Sequence, residues 1–255
     1  MKKIIFITGA SSGIGKYTAI EFSKNKWTVL AAARRKNLLA EVSKEASKKY
    51  GGKIIPIALD ITKENEVKKI INKCFRLYGT PNICLLNEGT NNPNEKKIIN
   101  LNEAKKIFKI NYFGTLNCID AILPNLLTSK KNTQLAIMAS VAGYRGLPYA
   151  TAYCSSKAAL INLAESIYSL CKNKNILVRL INPGFIKTPL TDKNKFEMPF
   201  IIPANKAAKI LYKKLNNSTK FEINLPWTFC IIMKILSIVP YSLYFKITSK
   251  MIRRL

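Results

Sequence analysis

The sequence predicts an α/β fold, a doubly wound parallel sheet of about seven strands with helices on both faces and a helical C-terminal tail. Two observations carry this. Short runs rich in Ile, Val and Leu alternate along the chain with longer segments of helical period, as expected when each buried parallel strand is followed by a crossover helix. Of 255 residues, 48% are hydrophobic and 22% charged, which supplies one large core and leaves no compositional case for extended disorder.

Taken in order, the first strand is the apolar run over Lys3–Thr8, closed by Gly9. It is too short for a signal-peptide core despite the two lysines before it. Further strands follow where the same kind of run recurs: Thr28–Ala33, Ile54–Ala58, Ile83–Leu86, Gln134–Ala139 and Leu177–Ile181, with a seventh at Phe221–Leu225. Between them the apolar spacing turns helical over Gly15–Lys24, Leu38–Lys49, Glu64–Tyr78, Glu103–Leu123, Thr151–Cys171 and Ala204–Leu215. No internal repeat or low-complexity linker interrupts the series, so residues 1–225 read as one domain and 226–255 as an extension of different character.

Composition narrows the chemistry. The 42 Lys and Arg against 14 Asp and Glu give a formal charge of +28, attractive to phosphates, anionic lipid and nucleic acid. The lysines are spread along the chain, with no zinc finger or compact basic arm, so no specific nucleic-acid partner is expected. There is no histidine, which excludes Ser-His and Cys-His nucleophile pairs and His-bearing metal sites; no metal is expected. A general base must be Tyr, Lys or a carboxylate. The six cysteines form no C-x-x-C pair and fit reduced thiols in a cytoplasmic protein.

The first strand runs into Thr8-Gly9-Ala10-Ser11-Ser12-Gly13-Ile14-Gly15 and then a helix. Glycines allow a tight turn and close backbone approach, and the new helix offers free N–H groups to a pyrophosphate. The spacing T-G-x-x-x-G-x-G resembles the short-chain dehydrogenase/reductase family, whose single domain is of the Rossmann type. Further motifs follow in that family's order: Asn87-Glu88-Gly89, Asn111, Ser140, Tyr153 with Lys157 four residues on, and Pro183-Gly184. Together they span residues 3 to about 190. One departure is Glu88, where the family has a small residue; its carboxylate would lie close to the adenosine side of a cofactor. An alternative alignment places Asn87 one position earlier in the motif.

Tyr153 and Lys157 share one face of a helix by their spacing. An ammonium about 4 Å away contributes roughly 4 kcal/mol at an effective dielectric of 20, which would draw the phenol down from about 10 toward neutrality. The resemblance implies that Tyr153 exchanges the proton with the substrate oxygen while hydride passes to or from the nicotinamide. It implies that Lys157 also bonds the nicotinamide ribose, that Ser140 donates to the substrate oxygen, and that Asn111 holds a water linking Lys157 to solvent. Taken singly, such residues are ordinary surface or packing groups; their joint order with the glycine turn carries the assignment. The resemblance also implies cofactor contacts from Gly9, Ser11, Ser12, Gly13, Ile14, Gly15, Asp60, Ile61, Asn87, Gly89, Pro183, Gly184, Ile186 and Thr188.

The second strand ends TVLAAARR. NAD-specific sites place an acid there to bond the ribose 2'-hydroxyl, but this chain has Ala33, followed by Arg34 and Arg35, whose guanidinium groups suit a 2'-phosphate. NADP(H) is therefore expected in preference to NAD(H). The expected activity is interconversion of a carbonyl and an alcohol on a small molecule. A catalytically silent NADP(H)-binding protein and a basic anion-binding protein on the same scaffold are the alternatives. The resemblance implies a homodimer or homotetramer.

From Trp227 the chain is apolar, but Lys234 and Pro240 break the run short of the ~18 to 20 residues a spanning helix requires. After Pro240, Tyr241, Tyr244, Ile247, Met251 and Leu255 recur at helical spacing, largely opposite Lys246, Lys250, Arg253 and Arg254. Two readings stand: peripheral membrane contact through residues 241–255, or a helix pair that closes the pocket or a subunit interface. An apolar tail beside the pocket leans toward a hydrophobic substrate such as a lipid-like ketone.

Overall fold

A computed structural model describes residues 3–93, 97–194 and 196–252. The strands are β1 (Ile4–Thr8), β2 (Thr28–Ala33), β3 (Lys53–Ala58), β4 (Ile83–Leu86), β5 (Thr133–Met138), β6 (Ile176–Pro183), β7 (Ile186–Lys187), β8 (Ile202–Pro203) and β9 (Glu222–Leu225). The helices are α1 (Gly13–Lys24), α2 (Lys36–Tyr50), α3 (Glu64–Tyr78), α4 (Leu101–Phe108), α5 (Gly114–Leu127), α6 (Thr151–Cys171), α7 (Ala204–Asn217), α8 (Trp227–Ile238) and α9 (Tyr241–Ile252). Seven strands form one parallel sheet in the order β3-β2-β1-β4-β5-β6-β9. The expected doubly wound sheet is thus present.

Alternation along each strand divides the core in two, because successive side chains leave a strand on opposite faces. Ile4 and Phe6 of β1 pack with Val67 and Ile71 of α3, Ile122 of α5 and Leu160 of α6. Ile5 and Ile7 pack with Phe22 of α1, Leu39 of α2 and Leu211 of α7. Both faces being covered, β1, β2 and β4 are buried along their whole length. This is why they read as unbroken apolar runs rather than as alternation.

Elements of the main domain begin and end within two residues of their expected limits, with one exception. The helix expected over Glu103–Leu123 is α4, a π-helical turn at Lys109–Phe113, and α5. The wider turn holds Asn111, fully buried, where its amide meets three partners at once; π turns of this kind recur at functional sites. The two-residue strands β7 and β8 pair with each other outside the main sheet and have no counterpart in the sequence reading.

The tail forms two helices. In α8, Phe229, Cys230 and Met233 face inward against Val141 and Tyr144, just after Ser140. In α9, Tyr244 and Thr248 are buried, and the Tyr244 hydroxyl donates to the Gly146 carbonyl. The apolar stripe centred on Tyr244 therefore docks on the protein at that residue, whereas Tyr241 at its start is exposed. The side chain of Met251, together with Arg253, Arg254 and Leu255, lies outside the described residues.

Candidate active site

Sheet order reverses between β1 and β4, since the chain winds outward to β2 and β3 on one side and to β5, β6 and β9 on the other. In such sheets the crevice beyond the carboxyl ends of the strands, at that switch point, is where ligands bind. Gly9, Arg34, Asn87, Ser140 and Gly184 stand just beyond the ends of β1, β2, β4, β5 and β6 respectively. Five strand ends thus deliver the residues predicted from sequence to one edge of the sheet.

The turn between β1 and α1 is shaped by glycine. Gly9 and Gly13 have φ of 64° and 55°, a region that L side chains avoid. A Cβ on Gly15 would come 2.3 Å from the Gly9 carbonyl, so the first turn of α1 closes directly on the strand end. Thr188 lies over this turn, its Cγ2 3.2 Å from where a Gly13 Cβ would stand. Asn87 pins the β1 and β4 ends together: its N–H donates to Thr8 Oγ1 (2.9 Å) and its Nδ2 to the Thr8 and Gly9 carbonyls (3.2 and 3.4 Å). Glu88 adds a carboxylate to the same place, Oε1 accepting from Gly9 N–H at 2.8 Å.

At the other side of the turn, Arg35 donates through Nη2 to the hydroxyls of Ser11 (3.1 Å) and Ser12 (2.7 Å). Arg34 is exposed beside it. Burial would raise the Asp60 carboxyl, but the Thr62 backbone and hydroxyl, with the charge of Arg34, hold it below its ordinary value. Ile61 is buried under Gly114, whose Cβ would fall 2.6 Å from Ile61 Cδ1. A narrow cradle with backbone N–H groups and two guanidinium groups fits a dinucleotide phosphate chain.

Tyr153 and Lys157 lie in the first two turns of α6. Lys157 is buried, donates to the Met138 carbonyl (3.0 Å), and sits 5.8 Å from the Tyr153 ring centroid. Here burial opposes the lowering of the phenol that the spacing suggests. Burial pushes the Tyr153 phenol up to about 12, with hydrogen bonding to Ser140 pulling the other way; burial also brings Lys157 down to about 8. Desolvation is the leading cause at both groups. Tyr153 is thus held protonated, in the form that can donate.

Ser140 is buried, accepts from Ala142 N–H (3.1 Å) and donates weakly to the Pro183 carbonyl (3.4 Å), which fixes the start of the short turn Val141–Gly143. Asn111 accepts from Thr90 N–H (2.8 Å) and donates to the Thr90 carbonyl (3.1 Å) and Ser156 Oγ (3.0 Å). Its Oδ1 and the Lys157 Nζ converge on Gly89, at 3.9 and 3.5 Å from the position of a Cβ there. Ser156 and Thr90 are partners that sequence reasoning missed; neither carries a signal beyond lying beside a motif. Ile186 is buried in β7, and Gly184 donates to the Leu225 carbonyl while leaving room for Phe229, 2.5 Å from its Cβ position.

A glycine cradle at the switch point, with a tyrosine, a lysine and a serine beside it, is the arrangement expected of an oxidoreductase that uses a nicotinamide dinucleotide. Residues 3–198 match the short chain dehydrogenase family. Among curated proteins, the chain is 31% identical over 193 residues to "3-oxoacyl-[acyl-carrier-protein] reductase FabG" of Thermotoga maritima, covering 75% of this chain and 77% of that protein. It is 30% identical over 188 residues to "NADP-dependent 3-hydroxy acid dehydrogenase" of Schizosaccharomyces pombe, covering 73% and 72%. A solved short-chain dehydrogenase/reductase from Burkholderia phymatum, in complex with NAD, superposes with a TM-score of 0.82 at 19% identity, over 91% of this chain and 92% of that one. The chain belongs to the short-chain dehydrogenase/reductase family and is an oxidoreductase of the carbonyl/alcohol class with a nicotinamide cofactor.

Proposed function

We propose that the chain is an NADP(H)-dependent oxidoreductase that interconverts a carbonyl and an alcohol on a hydrophobic small molecule. The observation that carries this is the convergence of Ser140, Tyr153 and Lys157 beside the glycine turn. The bound dinucleotide supplies or accepts the hydride. In the reducing direction Tyr153 gives its phenolic proton to the substrate oxygen, and Ser140 donates a hydrogen bond to that oxygen as negative charge develops on it. Lys157 would hold the nicotinamide ribose, and would return a proton to the phenol by way of a water beside Asn111. Relatives named as a 3-oxoacyl reductase and a 3-hydroxy acid dehydrogenase support a carbonyl/alcohol pair.

Preference for NADP(H) rests on Ala33 in place of an acid, on Arg34, and on Arg35 already anchored at Ser11 and Ser12. The hydrophobic substrate is supported by aromatic rings beside Gly184: Phe185, Phe196 and Phe200 pack with Phe229 or with one another at 5.2 to 6.1 Å. On this reading the protein works in the cytoplasm as a homodimer or homotetramer, with peripheral membrane contact through the exposed apolar face of its C-terminal extension. Tyr153→Phe should leave NADPH binding within about twofold and remove at least 99% of turnover, roughly the 10²-fold a positioned acid contributes. The check is NADPH oxidation against a panel of apolar ketones and aldehydes, alongside fluorescence titration of the cofactor. A Phe variant with wild-type turnover would sink the mechanism, and a wild type that binds NADPH but reduces nothing would favour the catalytically silent reading.

A further inference from the structure

Glu88 is a charged side chain in a turn built to receive an anion. It follows Asn87 at the end of β4, and its Oε1 takes the N–H of Gly9 at 2.8 Å, while Oε2 lies 3.3 Å from the position of a Gly9 Cβ. The charged groups around it come from two other strand ends: Arg34 and Arg35 after β2, and Asp60 after β3. Beneath it, Cys118 of α5 is pushed up by burial and by the charge of Glu88. On the side of Gly89, the neighbouring charge is Lys157 Nζ. Among the described residues none forms a salt bridge with Glu88.

Two anions cannot share such a turn cheaply. A dinucleotide would bring its pyrophosphate to the first N–H groups of α1, and an ionised Glu88, bonded to Gly9 of the same turn, would repel it. The protonated acid has no such conflict, because its carbonyl oxygen still accepts from Gly9 and its O–H becomes a donor. We propose that Glu88 governs cofactor affinity by making binding proton-linked: the dinucleotide is taken up with Glu88 as the carboxylic acid, one proton passing from solvent to its carboxylate. This rests on the reading that the glycine turn holds the dinucleotide. Burial raises the carboxyl above its ordinary value against the Gly9 hydrogen bond and Arg34, with Asp60 adding to the rise and Arg35 opposing it, so the acid form is within reach.

The sign follows from linkage. If the bound state holds a proton that the free state has lost, affinity falls as pH rises, by up to about tenfold per unit. Calorimetric titration with NADPH and with NADH should be run between about pH 6 and 9, in buffers of different ionisation enthalpy that count protons taken up. Wild type should take up as much as one proton more than Glu88→Gln, with both cofactors. The Gln variant should show the flatter pH profile and the tighter binding at the alkaline end. NADH separates Glu88 from the 2'-phosphate, which itself titrates, and uptake common to both proteins belongs to groups other than Glu88. Equal proton counts and parallel pH profiles, or a Gln variant weaker throughout, would overturn the proposal while leaving the cofactor site intact. Failure of wild type to bind either dinucleotide at any pH would overturn both readings. Should the Gln variant not fold, a wild-type count of zero protons with NADH overturns the role of Glu88, and Lys157→Met then serves to identify the source of any uptake.

Discussion

Arg34 and Arg35 are adjacent yet differently employed. Arg35 is tied to the hydroxyls of Ser11 and Ser12, so its position is fixed at the glycine turn. Arg34 is exposed and acts on Asp60 and Glu88 through its charge, which leaves its five donors available to a phosphate. A charge-assisted hydrogen bond is worth about 1.5 to 3 kcal/mol, so Arg34→Ala should weaken NADPH roughly 10- to 150-fold and NADH by much less. Parallel titrations of the two cofactors decide it, and equal losses would remove Arg34 from the 2'-phosphate. At this scale the order of motifs made Ser140, Tyr153 and Lys157 legible in the sequence. Their protonation was not, because a four-residue spacing places two groups on one face but says nothing of how deeply α6 is buried. The contact of Glu88 with Gly9 was hidden for a similar reason, being a meeting of two strand ends 79 residues apart.

Among the elements, the central strands were readable because burial on both faces writes itself as an apolar run. The break between α4 and α5 was not, since the residues through the π turn keep helical spacing while Asn111 within it is bonded to Ser156, 45 residues away. The tail shows another limit. Periodicity finds an apolar stripe without saying whether protein or lipid covers it, and in α9 Tyr244 meets protein. The clasp is Arg145: its Nη1 donates to the carbonyls of Leu236, Ser237 and Val239, at the end of α8 where carbonyls lack intrahelical partners. Its guanidinium also lies 3.9 Å over Tyr244 and 4.6 Å over Tyr241. Arg145→Ala should therefore loosen the join of α8 and α9 by about 1.5 to 3 kcal/mol. Hydrogen exchange is the measurement: amides of residues 227–250 should lose protection while those of β1, β4 and β5 keep theirs. Unchanged protection in the tail would show that the apolar contacts of Phe229 and Met233 hold it alone.

Over the whole molecule, a formal charge of +28 meets an unusual distribution of apolar surface. Among the described residues no helix is long and apolar enough to cross a membrane. Yet Trp227, Ile231, Ile235 and Ile238, spaced to share the face of α8 opposite Phe229 and Met233, are 46% to 81% exposed. After Glu222 the sequence contains no further acid, and Glu222 is itself bound to Tyr144, Asn182 and Lys234. An apolar stripe amid cations suits the interface of an anionic bilayer, and the inner face of the same helix lies against Val141, beside Ser140. The hypothesis is that α8, rather than the Tyr244 face of α9, is the contact. In vesicle sedimentation at about 0.15 M salt, where screening acts over roughly 8 Å, Ile231→Ser/Ile235→Ser should cut binding to anionic vesicles at least tenfold. Lys246→Gln/Lys250→Gln should matter chiefly at low salt, because exposed charges are the ones salt screens. Both residues of the Ile pair are solvent-exposed, so the fold should tolerate the change, and thermal melting checks that it does. If the Ile pair leaves vesicle binding unchanged, or turns an oligomer into a monomer, the stripe is a surface for another copy of the chain and the membrane reading fails.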